Sequence, residues 1–211
     1  MTPLATPESI IAAYEPAALV FDFDGTLADS TELHEQSLRM ALADHGISLD
    51  SGWYQAHTGL PIADLIGLLA GGIDPAPPTT DIIAASRAWL SANLHQLRPI
   101  PAAVELAHFA HAQRLPCAVA SNASHELVDP GLRALGLANL FVAVIAAEDV
   151  SMGKPHPEVF LHAAKRLDCP PQTCLAVEDS RPGLAAARAA GMKVLAVAAG
   201  KLLPTQGGEA R

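Results

Sequence analysis

Short apolar runs rich in β-branched and aromatic residues recur along the chain, each followed by small or polar residues and then by helical periodicity. Residues 17–23, 116–120, 141–146, 173–177 and 192–197 read as strands buried on both faces, because their hydrophobicity is nearly continuous instead of alternating. Helical patterns over residues 102–113, 126–135, 157–167 and 182–190 separate the later runs. This alternation predicts an α/β fold of three layers around a parallel sheet. Its right-handed crossovers gather loops at the carboxyl ends of the strands, the edge at which such sheets bind ligands.

One stretch breaks the rhythm. Between Phe23 and Leu115 no strand-like run occurs and the pattern is helical, which predicts an all-helical insert over residues 31–98, with residues 1–30 and 99–211 forming the core. Its helices are expected over residues 32–45, 62–69 and 81–94, with Gly46 stopping the first and residues 74–80 forming an irregular, proline-rich connector. The prolines of residues 98–101 suit a stiff re-entry segment, and the tail after Gly200 is expected to fray.

Composition narrows the function classes. The 211 residues suffice for a sizeable core, and 50% hydrophobic with 17% charged residues is globular usage. No apolar stretch reaches the ~18 residues of a membrane span, and the first residues lack a basic, apolar leader, so the expected location is the cytoplasm. A net charge of −9 with scattered Lys and Arg argues against nucleic acid. A small anionic substrate would then need a local positive site. The three cysteines, Cys117, Cys169 and Cys174, form no C-x-x-C pair and read as small buried hydrophobes.

The most informative segment is Phe21-Asp22-Phe23-Asp24-Gly25-Thr26-Leu27, two carboxylates and a glycine turn at the end of the first apolar run. Alternate residues of a strand share a face, so Asp22 and Asp24 are placed to meet at the crevice, one to bind metal and attack, the other to handle a proton. A plain Asp-Gly turn is the competing reading.

Through Ser30 this segment closely resembles the first motif of the haloacid dehalogenase-like hydrolase superfamily, and the resemblance extends across the chain. Ala120-Ser121-Asn122, Gly153-Lys154-Pro155 and Glu178-Asp179-Ser180-Arg181-Pro182-Gly183 match its remaining motifs in family order, each after an expected strand. Taken singly, Ser121-Asn122 is an ordinary turn with Ser124 as a rival helix cap, Lys154 a solvated loop lysine, and Asp179 or Ser180 a cap. The resemblance implies a three-layer Rossmann-like core and an inserted all-helical cap domain. It implies Asp22 as nucleophile and Asp24 as general acid and base. Thr26, Ser121, Asn122 and Lys154 would contact phosphate, and Asp22, Asp24, Asp179 and, secondarily, Glu178 would hold Mg²⁺.

The insert's place after the first motif resembles the helical-cap branch, and residues 29–46 look like its β-phosphoglucomutase-like subgroup. His34 and Arg87 are the candidate substrate-side residues of the cap. Thr58-Gly59-Leu60 resembles a substrate-facing loop, although Ile62 stands where the mutases carry a phosphate-binding Arg. The absence of lysine from residues 31–98 argues against phosphonate cleavage through a Schiff base, and Asp24 argues against dehalogenation, since halide needs no proton. Trp53, Tyr54, His57 and Trp89 either pack the helices or line the substrate mouth. The expected protein is a Mg²⁺-dependent phosphatase of a small phosphorylated metabolite, a sugar phosphate first, with no nucleic-acid or membrane partner and a monomeric default. A phosphosugar mutase and a non-catalytic binding member of the fold remain the alternatives.

Overall fold

The computed structural model describes residues 6–57, 60, 62–71 and 76–205. The chain divides into two compact units, Met1–Asp29 together with Arg98–Arg211, and Ser30–Leu97.

The first unit is built on a six-stranded sheet. Its strands in chain order are β1 (Ala18–Phe21), β4 (Cys117–Ala120), β5 (Ala143–Ile145), β6 (Cys174–Glu178), β7 (Lys193–Ala198) and β8 (Lys201–Pro204), and their spatial order is β5-β4-β1-β6-β7-β8. All neighbours are parallel except β7 and β8. The chain leaves β1 for β4 and β5 on one side, then returns to β6 on the other. The crevice of such a sheet opens where the order reverses, so the carboxyl ends of β1, β4 and β6 converge on one place.

Every residue of β1, β4 and β6 is buried, which explains why these segments read as continuous apolar runs. Helices α8 (Glu158–Arg166) and α9 (Arg181–Ala189) cover one face, where Ala18, Val20, Ala118, Ala120 and Ala176 meet Ala163, Ala164, Ala186 and Ala187. These small side chains let the helices lie close to the sheet. Helix α6 (Pro101–Ala112) lies against β4 and β8 and carries α1 (Pro7–Tyr14), while α7 (His125–Ala134) packs beside β5.

Four elements of this unit depart from the expectation. Helix α1 is announced by a Thr6–Ser9 capping box that periodicity alone does not register. Two short strands, β2 (Ala28–Asp29) and β3 (Arg98–Pro99), pair antiparallel where no strand was expected. They are too brief to leave a period-2 pattern. The segment after Gly200 is not frayed at its start, because β8 pairs with β7 through a tight hairpin. Ala199 and Gly200 both take positive φ, 49° and 71°, the conformation that a two-residue type I′ turn requires. Alanine rarely adopts it, so the sequence carries little warning. Finally, Cys117 and Cys174 are buried but Cys169 only half so, packed on the edge of the core. Burial pushes the Cys117 and Cys174 thiols up to about 12 and about 11, as befits apolar packing residues.

The second unit is helical: α2 (Thr31–Ala43), α3 (Ser51–Ala56), α4 (Ile62–Leu69) and α5 (Thr79–Asn93). Helix α3 was not expected; its signal is Asp50, whose side chain accepts the Trp53 N–H at 2.7 Å. Gly46 stops α2 as expected. At φ 70° it turns the chain so that its own N–H and that of Ile47 reach back to the carbonyls of Ala43 and Leu42. Leu38, Leu42, Tyr54, Ile66 and Ile82 form the unit's own core, with Trp53 and Ile62 packed on its margin. The Trp53 indole and His57 imidazole stack at 4.1 Å. Thr58, Gly59, Asp74 and Pro75, which carry part of the expected glycine loop and connector, lie outside the described residues.

Candidate active site

The first motif leaves β1 at Phe21 and folds into a tight turn. The Phe23 carbonyl accepts from the N–H groups of Leu27 and Ala28, both at 2.9 Å, and Gly25, at φ 78°, donates to the Ala28 carbonyl. The Asp22 N–H donates to the Val177 carbonyl of β6 at 2.9 Å. These bonds hold the Asp22 side chain, 8% exposed, at the central crevice. Asp24 is half-buried and bridges to Ala28 through the backbone.

Lys154, delivered by the loop between β5 and α8, completes an internal ion cluster. Its Nζ donates to Asp22 Oδ1 at 2.5 Å and to Glu178 Oε2 at 2.7 Å, and lies over the Phe160 ring at 5.1 Å from the centroid. The lysine side chain is 4% exposed and that of Glu178 is fully buried. Burial alone would lower the lysine pKa, but the two carboxylates outweigh it and hold the ammonium above its ordinary value.

Glu178 is fixed at the end of β6 by hydrogen bonds from the two residues that follow it. Its Oε1 accepts from the Asp179 N–H, the Ser180 N–H and the Ser180 hydroxyl, at 3.0, 2.9 and 2.9 Å. Two glycines make room for the acids. A Cβ on Gly183 would stand 1.9 Å from Glu178 Oε2, and one on Gly25 would stand 2.2 Å from Asp179 Oδ2. The Thr26 hydroxyl, expected at the phosphate, donates to Asp179 Oδ1 at 3.2 Å, and the Ser180 hydroxyl also caps α9 by accepting the Gly183 N–H.

Asp22, Glu178 and Asp179 offer carboxylate oxygens within 4.8 Å of one another, the sole such donor group among the described residues. One ammonium faces three acids, so negative charge is in excess. Loss of water, then repulsion from Glu178, raises Asp22 well above the carboxylate range despite Lys154. The same two causes push Asp179, the exposed member, up to about 7. An all-oxygen cluster with uncompensated charge fits a hard divalent cation.

A pH dependence follows. For an acid whose folded value is raised, the destabilisation is absent below the unfolded value, 3.8 for Asp179, and complete above the folded value of about 7. Metal-free protein is therefore expected to lose thermal stability through this group as pH rises across that window. Added Mg²⁺ should raise Tm more at about pH 7.5 than at about pH 5. Melting curves at both pH values test this, and an equal gain at each would contradict it.

Ser121 is buried at the end of β4, with its N–H bound to the Ile145 carbonyl and its hydroxyl accepting from the Ala123 N–H at 3.0 Å. Both ends of the Asn122 amide engage the backbone of Lys154. The structure thus links Asp22, Thr26, Asn122, Lys154, Glu178 and Asp179 through one network. His34, half-buried in the first turn of α2, and Arg87, exposed on α5, belong to the helical unit. Gly183 and Phe160 were not singled out from the sequence, and Gly25 was read only as a turn. Both glycines lie inside motifs already legible, but the carboxylates that need their space were not.

A doubly wound α/β unit carrying an acid cluster and a buried lysine at the carboxyl ends of its central strands defines an enzyme-type site. The chain belongs to the family described as haloacid dehalogenase-like hydrolase, whose model matches residues 19–197. It is similar to the fructose-1-phosphate phosphatase YqaB of Escherichia coli (strain K12), 35% identical over 185 residues that cover 86% of this chain and 96% of the relative. Hexitol phosphatase B of the same organism is 30% identical over 200 residues, covering 93% and 87% of the two chains. The crystal structure of CbbY from Rhodobacter sphaeroides in complex with phosphate superposes with a TM-score of 0.76 at 30% identity, covering 86% of this chain and 85% of that one.

Proposed function

We propose that this protein is a magnesium-dependent phosphomonoesterase that hydrolyses a small phosphate ester, a sugar phosphate first, through an aspartyl phosphate on Asp22. The observation that carries this reading is the Lys154 ammonium held between Asp22 and Glu178 beside Asp179. The sugar and hexitol phosphatases among its relatives support the substrate class.

An Asp22 oxygen attacks phosphorus and the bond to the ester oxygen breaks, while Asp24 gives the departing alkoxide its proton. Asp24 then takes a proton from the water that cleaves the aspartyl phosphate, which regenerates Asp22 and releases phosphate. Lys154 offsets the charge of the nucleophile as the anionic ester approaches, and Ser121 offers its hydroxyl to a phosphoryl oxygen. Asp22, Asp24 and Asp179, with Glu178, would hold Mg²⁺, which neutralises phosphoryl charge when bound. Residues 31–98 serve as the helical cap that selects the substrate, with His34 and Arg87 as its contacts.

A panel of sugar, hexitol and short-acid phosphates, assayed with Mg²⁺ for released phosphate, tests the proposal. Mg²⁺-dependent release, fastest on a sugar or hexitol phosphate, is expected. Isomerisation of a sugar phosphate without release, or inactivity of the folded protein across the panel, would overturn it.

A further inference from the structure

The ammonium of Lys154 is only as well placed as the backbone that carries it. That backbone is gripped by one side chain from a different strand end. The Lys154 N–H donates to Asn122 Oδ1 at 2.8 Å, and Asn122 Nδ2 donates to the Lys154 carbonyl at 3.3 Å. Two antiparallel bonds to one residue fix its position and its rotation together, as a strand partner would. The same two bonds occupy both ends of the carboxamide.

Gly153 explains how the amide comes so near. A Cβ at Gly153 would lie 2.8 Å from Asn122 Oδ1 and 3.2 Å from its Cγ. The φ of Gly153 is not positive, so the position needs clearance and not glycine's backbone freedom. The flanks of the loop are tied separately. Ser151 and Met152 N–H groups donate to Glu158, and Asp149 pairs with His125 Nε2 at 2.7 Å. Neither tie touches Lys154.

We propose that Asn122 is a positioning residue, whose clasp on the Lys154 backbone sets the ammonium between Asp22 and Glu178, and that residue 153 is glycine to admit the clasp. The consequence for turnover rests on the phosphatase reading; the placement of Lys154 does not. The clasp lies at the surface, where water competes for its hydrogen bonds, so its loss should displace the lysine without unfolding the protein.

The test uses Asn122→Ala, Asn122→Asp, Gly153→Ala and the Asn122→Ala/Gly153→Ala pair, in full-length protein. The first readout is reductive methylation of metal-free protein, mapped by peptide mass spectrometry, with Lys165 as the internal reference. Asn122→Ala should raise labelling of Lys154 about tenfold relative to Lys165 and lower kcat/KM by about 10- to 100-fold, the range for a group displaced by roughly 1 Å. Asn122→Asp should behave alike, since it keeps the acceptor but turns an oxygen toward the Lys154 carbonyl.

Gly153→Ala should match the single Asn122 variants. In the double variant it should add less than about twofold, because the atoms it would strike are gone. Wild-type labelling of Lys154 in Asn122→Ala, a wild-type-like Asn122→Asp, or additive effects in the pair would overturn the proposal. Labelling that rises equally at Lys154 and Lys165 would indicate general loosening and also overturn it. If the wild type hydrolyses no phosphate ester, the phosphatase reading fails alone, and the labelling pattern still decides the clasp.

Discussion

Asp22→Asn is expected to lower phosphatase turnover by at least about 10⁴-fold while leaving the fold intact, because the proposed nucleophile is removed without changing side-chain shape. The stability half of this expectation follows from the charge balance. In metal-free protein, burial and then repulsion from Glu178 raise the Asp22 pKa, with a further contribution from Asp179, so a neutral amide relieves a penalty that the carboxylate bears. Lys154 keeps its second partner, Glu178, at 2.7 Å. The metal-free Tm of the variant should equal or exceed that of the wild type, and its gain on adding Mg²⁺ should shrink. Rate assays and paired melts check both halves. Turnover within tenfold of wild type would remove Asp22 from the chemistry, whereas a collapse in Tm would make its role structural.

Lys154→Met should act in the opposite sense on stability. The ammonium is the shared partner of two buried carboxylates, and removing one member of a buried ionic cluster typically costs about 3–5 kcal/mol because the remaining charges lose their compensation. Methionine keeps most of the volume and the contact with the Phe160 ring, so the loss reports charge more than packing. The stability gained on adding Mg²⁺ should exceed the wild-type gain, an excess that a destabilisation from packing would not produce. Activity is expected to fall by at least about 10³-fold, in line with removal of a charge proposed to assist the nucleophile and the reacting phosphoryl group. Denaturant unfolding with and without Mg²⁺, beside steady-state assays, separates the two effects.

The central strands were legible because they are buried on both faces. Residues such as Leu19, Val20, Val119 and Ala176 must all be apolar, which leaves uninterrupted hydrophobic runs. The acids and the lysine that follow those runs were legible for the complementary reason: a charge at the end of a buried strand is conspicuous. Elements held by one cap or one turn were not. Helix α1 rests on Thr6 and Ser9, α3 on Asp50, and β8 on the Ala199-Gly200 hairpin, and none of these leaves a period in the sequence.

Asn122 and Thr26 mark the boundary within the site. Both stand in motifs that point to phosphate, yet the Asn122 amide clasps the Lys154 backbone and the Thr26 hydroxyl donates to Asp179. Which partner a polar side chain takes depends on segments far away in sequence, and only the parallel sheet brings the ends of β1, β4 and β6 together with the lysine loop. By itself the sequence determined the alternation of strands and helices and the kinds of chemical group at the strand ends, since both follow from local burial and spacing. Tertiary structure alone decided that Lys154 lies between Asp22 and Glu178, and that Gly25 and Gly153 leave room for side chains from other loops. Close approach of this kind is a property of packing in three dimensions, and no single segment encodes it.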